Sequence, residues 1–219
     1  MAGAPKSFFL TPELHEYLVA HGTPPDDVQR ALIEETAKLP MAMMQIAPEQ
    51  GAFMTLLTRL VGARQAVEVG TFTGYSALSI ARGLPDDGHL LCCDVSAEWT
   101  AIARRAWERA GVASKIELRL APAIDTLRAL PDEEYLDLAF IDADKQSYAS
   151  YYEEILRRLR PNGVMLVDNT LWSGGVIDAE RTDDDTKAIR AFNDAVAADE
   201  RVESALLTLG DGLTVLRKR

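Results

Sequence analysis

The chain has 219 residues, 47% of them apolar and 26% charged, and carries a formal net charge of −11. That length supports one substantial core, and no apolar run reaches the roughly 20 residues of a membrane-spanning helix. The acidic balance works against non-specific binding to nucleic acid or an anionic membrane and favours a small-molecule partner.

The elements expected in chain order begin with three helices: Pro12–Ala20, Pro25–Leu39 with Asp26 and Asp27 in its first turn, and Pro48–Val61. Between the last two, Met41–Ile46 is apolar but too broken to predict a helix. From Ala66 the texture changes to alternating strand and helix: strand Ala66–Val69 with helix Tyr75–Arg82, then strand His89–Cys93 with helix Ala97–Ala110. Strand Ile116–Leu120 and helix Ala123–Leu130 follow, then strand Leu136–Ile141 and helix Tyr148–Leu159. Pro161–Gly163 reads as a turn into strand Val164–Val167. Helix Asp184–Ala198, opened by the acidic run Asp183–Asp185, precedes strands Ser204–Leu209 and Leu213–Arg217, joined by Gly210-Asp-Gly212. Repeated βα units predict one α/β domain over residues 1–219, a doubly wound, mostly parallel sheet with an antiparallel C-terminal hairpin and helices on both faces. The helical segment 1–62 precedes the α/β core of 63–219. Cys92 and Cys93 are the two cysteines, neighbours inside one expected strand, where a bridge would be strained. Reduced thiols, and the lack of a leader-like apolar run in Met1–Lys6, predict a cytoplasmic protein.

Ligands of such sheets bind at the carboxyl ends of the strands. Two chemistry-bearing segments fall at such ends: Asp142-Ala-Asp144-Lys145 after Leu136–Ile141, and Asp168-Asn169 after Val164–Val167. Two carboxylates and an amide oxygen are hard donors for Mg²⁺ or Ca²⁺, whereas zinc more often recruits His or Cys. Singly, Asp142 reads equally as a helix cap, Lys145 as a solvated flank, and Asp168-Asn169 as a turn pair. Together at two strand ends they read as a metal-assisted reaction centre.

Glu68-Val-Gly70-Thr71-Phe-Thr-Gly74-Tyr-Ser76 lies in the turn after the first strand. Its G-x-x-x-G spacing differs from the G-x-G-x-x-G of dinucleotide sites, and Glu68 would repel a pyrophosphate while suiting a cationic ligand. Asp94, roughly 20 residues further on, stands where an acid accepts ribose hydroxyls. Asp94 also reads as a helix N-cap, with Ser96 as the rival for that duty. A cationic adenosyl ligand fits both acids, which points to S-adenosylmethionine.

These segments, together with Met44–Gly51 and Val167–Trp172 followed by Ser-Gly-Gly, resemble the metal-dependent, S-adenosylmethionine-dependent O-methyltransferases, the caffeoyl-CoA and catechol O-methyltransferase group with its small bacterial members. The likeness covers nearly the whole chain, strongly from Met41 onward. The resemblance implies a seven-stranded Rossmann-like sheet and cofactor contacts from Ile46, Glu68, Gly70, Thr71, Ser76, Asp94 and Ala123, with Asp144 near the cofactor. It implies a divalent cation on Asp142, Asp168 and Asn169, Mg²⁺ first and Ca²⁺ or Mn²⁺ next, and a homodimer whose amino-terminal helices shape the acceptor mouth. It sets Trp172 at the acceptor, although Trp often simply fills a core. Met44, with Met41 and Met43, is either core filler or a flexible wall of the acceptor pocket. Tyr148, Tyr151 and Tyr152 read as packing.

The expected reaction is methyl transfer to a hydroxyl of a small phenolic acceptor with adjacent hydroxyls. The cation would acidify the hydroxyl, and Lys145 with Asp142 would form the catalytic pair, Lys145 taking the proton. The alternatives are the same chemistry on a hydroxylated tRNA base, an NAD-dependent oxidoreductase on the same sheet, and a non-catalytic adenosyl-ligand sensor. The missing G-x-G-x-x-G counts against the oxidoreductase, and the acidic charge against the tRNA substrate.

Overall fold

In the computed structural model, which describes residues 10–219, the apolar runs become seven strands: β1 Gln65–Val69, β2 His89–Asp94, β3 Ile116–Leu120, β4 Leu136–Ile141, β5 Leu159–Val167, β6 Val202–Leu207 and β7 Leu213–Lys218. The helices are α1 Pro12–His21, α2 Asp27–Thr36, α3 Pro48–Leu60, α4 Tyr75–Gly83, α5 Ala97–Arg109, α6 Ala123–Arg128, α7 Tyr148–Leu156 and α8 Asp184–Ala198. Met1–Lys6 lies outside the described residues. Among the described residues no helix is long and apolar enough to cross a membrane.

The strands form one sheet in the order β3-β2-β1-β4-β5-β7-β6, with β1 to β5 paired in parallel and β7 antiparallel to both β5 and β6. The chain winds outward from β1 through β2 to β3 and then returns to β4 on the other side. The break between β1 and β4 is the switch point, where doubly wound sheets open a crevice.

Side chains alternate across a strand, so each strand feeds two cores. Ala66, Cys92, Leu138, Phe140 and Leu166 pack under α2 to α5, and Val67, Val69, Cys93, Ala139, Ile141 and Val167 pack under α6 to α8. Central strands buried on both faces read as continuous apolar runs, and β4 is of that kind from Leu138 to Ile141.

Several boundaries differ from the sequence expectation. Helix α2 spans Asp27–Thr36 instead of Pro25–Leu39, because Asp26 caps it in a reciprocal box with Gln29 and the chain beyond Thr36 breaks into turns. Helix α7 stops at Leu156 instead of Leu159, and β5 begins at Leu159 instead of Val164. Pro161–Gly163 is a bulge within β5, with Leu159 paired to Leu136 and Val164 to Leu138, and Arg160 ion-paired to Asp137 across it. Strand β6 runs Val202–Leu207, two residues earlier than Ser204–Leu209, since Leu209 already opens the turn by accepting the Gly212 N–H. The Met41–Ile46 stretch contains a short 3₁₀ turn, Ala42–Met44. Asp183 caps α8 through the Thr186 N–H, as the acidic run suggested.

Candidate active site at the carboxyl edge of the sheet

Register builds the site. Val69 pairs with Cys93 on one side and Ile141 on the other, and Ile141 pairs with Val167. One step past this row, the ladder continues: the Gly70 N–H donates to the Cys93 carbonyl, the Asp142 N–H to Val69 and the Asp168 N–H to Ile141, at 2.9, 2.9 and 3.0 Å. Asp94, Gly70, Asp142 and Asp168 therefore stand side by side along one edge. Gly70 has φ +88°, and a Cβ there would lie 1.8 Å from the Asp142 carbonyl oxygen, so this position admits glycine alone.

A cavity of about 1290 Å³ opens at this edge. It is large for one small ligand and has room for a cofactor and an acceptor together. Ile46, Gly70, Thr71, Ser76, Asp94, Ala123, Asp142, Asp144, Lys145, Asp168, Asn169, Trp172 and Met44 all line it. Glu68 does not. Strand parity turns its side chain toward the α4 face, in register with Cys92 and Phe140, where it is fully buried. Its Oε2 accepts the Thr71 hydroxyl at 3.0 Å while Oε1 has no partner. Glu68 thus lies beneath the glycine turn, one oxygen tied to Thr71 and the other unpartnered.

Burial raises the Glu68 carboxyl to about 7, outweighing the hydroxyl and thiol neighbours Ser76, Thr71 and Cys92. The folded value lies above the ordinary 4.5, so the stability it contributes is full at low pH and is lost as pH rises from about 4.5 through about 7. A shift of this size corresponds to about 3 kcal/mol. Glu68→Gln should gain stability over the wild type progressively across that window in ligand-free protein, measured by urea unfolding at stepped pH. A constant difference between the two proteins would contradict it.

Asp94 engages the glycine turn directly. Its Oδ2 accepts the Thr71 and Phe72 N–H groups at 2.9 and 2.8 Å, and Oδ1 accepts the Ser96 N–H at 2.7 Å. Helix α5 is capped by Ser96 through Trp99 N, so Asp94 is not its cap. Of the roughly four acceptor positions of a carboxylate, three are taken, leaving one on Oδ1 for a ligand hydroxyl. Asp144 accepts the Tyr151 hydroxyl at 2.6 Å from the cavity wall.

On the other side of the switch point, the buried Lys145 sits on a 3₁₀ turn, Lys145–Ser147. Its Nζ donates to Asp142 Oδ1 at 3.1 Å, Asn169 Oδ1 at 2.6 Å and the Tyr148 hydroxyl at 2.6 Å. Two of the three expected cation ligands thus already converge on one positive charge. Asn169 takes the left-handed conformation, φ +57°, which Asn tolerates better than most residues. Burial and then the Asp142 carboxylate push Asp168 up to about 7, against the pull of a bond from Gln50. A buried carboxyl raised by a like-charged neighbour calls for a cation. Among the described residues no three of His, Cys, Asp or Glu gather to hold a metal; at this edge the hard donors are the Asp142 and Asp168 carboxylates with the Asn169 amide oxygen. The donor set fits a hard divalent ion.

Sequence reasoning passed over two residues here. Gln50, buried on α3, donates to Asp168 Oδ2 at 2.7 Å. Tyr148, read as packing, does pack, but its hydroxyl also accepts from Lys145 and donates to the Asp168 carbonyl at 3.2 Å. The Gln50 contact spans 118 positions, so no local pattern signals it. Burial raises the Cys92 thiol well above its ordinary value and Cys93 to about 12, which leaves both as inert core.

A glycine turn and ribose-type acid on one side of the switch point, with an oxygen donor set and a lysine on the other, define an α/β enzyme of the methyltransferase class. The O-methyltransferase family model matches residues 22–219, and the chain belongs to that family. It is 39% identical over 207 residues to "Probable caffeoyl-CoA O-methyltransferase 2" of Dictyostelium discoideum, covering 92% of this chain and 90% of that one. It is 38% identical to caffeoyl-CoA O-methyltransferase 2 of Zea mays, covering 97% and 85%. The solved structure of an O-methyltransferase from Bacillus cereus, in complex with SAH, superposes with a TM-score of 0.87 at 33% identity, covering 94% and 97%.

Proposed function

We propose that the chain transfers the methyl group of S-adenosylmethionine to a hydroxyl of a small aromatic acceptor bearing adjacent hydroxyls, with a divalent cation, Mg²⁺ first, on Asp142, Asp168 and Asn169. The observation that carries this reading is the shared cavity, in which Asp94 and the Gly70 turn face Lys145 and the three oxygen donors. The names of the relatives and the SAH in the Bacillus cereus structure support the donor. S-Adenosylmethionine supplies an electrophilic methyl on a sulfonium, and the cation supplies Lewis acidity toward an acceptor hydroxyl.

The chain's own residues align the two ligands. Gly70 lets the backbone approach the cofactor, Asp94 Oδ1 receives a ribose hydroxyl, and Ile46 and Ala123 give apolar walls to the adenosyl group. As the C–O bond forms the C–S bond breaks, the sulfur keeping the electron pair, and the hydroxyl proton goes to Lys145 Nζ. Nζ donates to three acceptors, the full complement of an ammonium, so Lys145 must first release one of its protons to solvent before it can take the proton of the acceptor hydroxyl. Trp172 and Met44 border the acceptor. Alignment of this kind is worth roughly 7–11 kcal/mol of barrier.

The test is a methyl-transfer assay over catechols, hydroxycinnamoyl thioesters, flavonoids and tRNA. Activity should vanish on chelation and return with Mg²⁺, and full activity of Asp142→Ala would overturn the reading. The net charge of −11 disfavours the tRNA acceptor. A homodimer in the cytoplasm completes the proposal. Helix α1 buries none of its side chains, and Leu10, Tyr17, Leu18, Leu56 and Leu60 are exposed on α1, α3 and the chain leading into α1, which supports a covering second copy. Light scattering reads the mass directly, and a monomer at micromolar concentration would refute it.

A further inference from the structure

The three partners of Lys145 are not equivalent. Asp142 Oδ1 and Asn169 Oδ1 belong to the candidate cation ligands, and the third partner, the Tyr148 hydroxyl, does not. Two cations contesting the same two oxygens repel each other strongly at such separations. When a divalent ion takes Asp142 and Asn169, Lys145 keeps one partner of the three.

We propose that Tyr148 is the positioning residue that retains the Lys145 amine in the reaction cavity once the cation has taken its other two partners. The inference rests on the function proposed above. Tyr148 is built for this role. It is fully buried, and its ring stands edge-on to Phe192 with centroids 5.7 Å apart. Its hydroxyl proton is directed to the Asp168 carbonyl at 3.2 Å, which leaves an oxygen lone pair for Nζ at 2.6 Å. Nζ also lies 4.8 Å from the Tyr148 ring centroid and 5.7 Å from the Trp172 ring, within reach of both aromatic groups. The same hydroxyl ties the lysine turn to the strand end that carries Asp168 and Asn169. A residue that merely filled the core would need the ring and not the oxygen.

Tyr148→Phe separates the two roles, since it keeps the ring. In calorimetric titration with Mg²⁺ alone, without acceptor, the variant should bind the ion about 10-fold more weakly. Its lysine is then left with only the oxygens the ion needs, and contacts of this kind couple by such factors. In the Lys145→Met background the same substitution should change Mg²⁺ affinity less than about twofold, because the competing amine is gone. Phe192→Leu, which loosens the ring and spares the hydroxyl, should leave Mg²⁺ affinity unchanged. With an active acceptor, Tyr148→Phe should lower kcat about 10-fold with acceptor KM within about twofold. A crystal structure of the Mg²⁺-loaded wild type gives a check independent of any variant: Nζ should remain on the Tyr148 hydroxyl and leave Asn169 Oδ1. Equal Mg²⁺ effects of Tyr148→Phe with and without Lys145, or a loaded structure with Nζ turned away from Tyr148, would overturn the proposal. If no acceptor were methylated but the titrations behaved as stated, the acceptor reading would fail and the role of Tyr148 would stand.

Discussion

Lys145→Met is expected to lower kcat by about 10²–10⁴, the range spanned by a positioned proton acceptor, while S-adenosylmethionine affinity stays within about twofold. The separation follows from the site's division at the switch point. The groups facing the cofactor, Asp94 and the Gly70–Ser76 turn, take their contacts from one another and from Thr36 behind Thr73. None of those contacts passes through Nζ, which reaches to Asp142, Asn169 and Tyr148. Methionine keeps the length and the apolar stem of the buried side chain and removes the charge. The buried partners left behind can accept a cation, so Mg²⁺ affinity should rise instead of falling. Single-turnover rates and a calorimetric cofactor titration at saturating Mg²⁺ give the two readouts. A kcat within threefold of the wild type would remove Lys145 from the chemistry and leave the proton to solvent.

Much of this arrangement is legible in the amino-acid order because parallel sheets impose simple local rules. β4 is apolar from Leu138 to Ile141 and runs directly into Asp142, and the end of such a strand in a doubly wound sheet is a ligand-facing position. The acids, the glycine turn and the lysine could therefore be assigned to one edge before any tertiary contact was known. The burial of Glu68 is legible by the same rules. Counting back from the glycine turn, Glu68 shares parity with Ala66 and so belongs to the α4 face, beneath the turn. Gln50 and Tyr148 are a different case. Their hydrogen bonds depend on how α3 and the turn before α7 pack across the sheet edge, and helical periodicity reports burial without reporting where a terminal polar atom points. The early start of β5 was hidden by Pro161-Asn-Gly163, which has the composition of a turn but is held as a bulge by the Arg160–Asp137 pair 23 positions apart.

Gly70→Ala should be the most damaging single-methyl change in the described chain, destabilising the fold by upward of about 4 kcal/mol, in the exceptional range for point substitutions. Two costs combine. The φ of +88° is strained for any residue with a Cβ, which accounts for roughly 1–2 kcal/mol. The rest comes from contact, since the new methyl would lie 1.8 Å from the Asp142 carbonyl oxygen and 2.7 Å from its carbon. Neither strand end can yield, because the Asp142 N–H is bonded to Val69 and the Gly70 N–H to Cys93. Gly62→Ala separates the two costs: it has φ +62° but nothing within 4 Å of the added methyl, so it carries the strain without the collision. In thermal melts the Gly70 variant should lose roughly 8–16 °C and the Gly62 variant only a few degrees. Equal losses would mean that strain alone is at work and that the two strand ends have room to part. A much larger loss at Gly70 would show that the cofactor turn and the cation strand are in backbone contact. Under the proposed function such contact would set the separation of methyl donor and acceptor hydroxyl, so widening it should depress kcat in whatever fraction of the variant still folds.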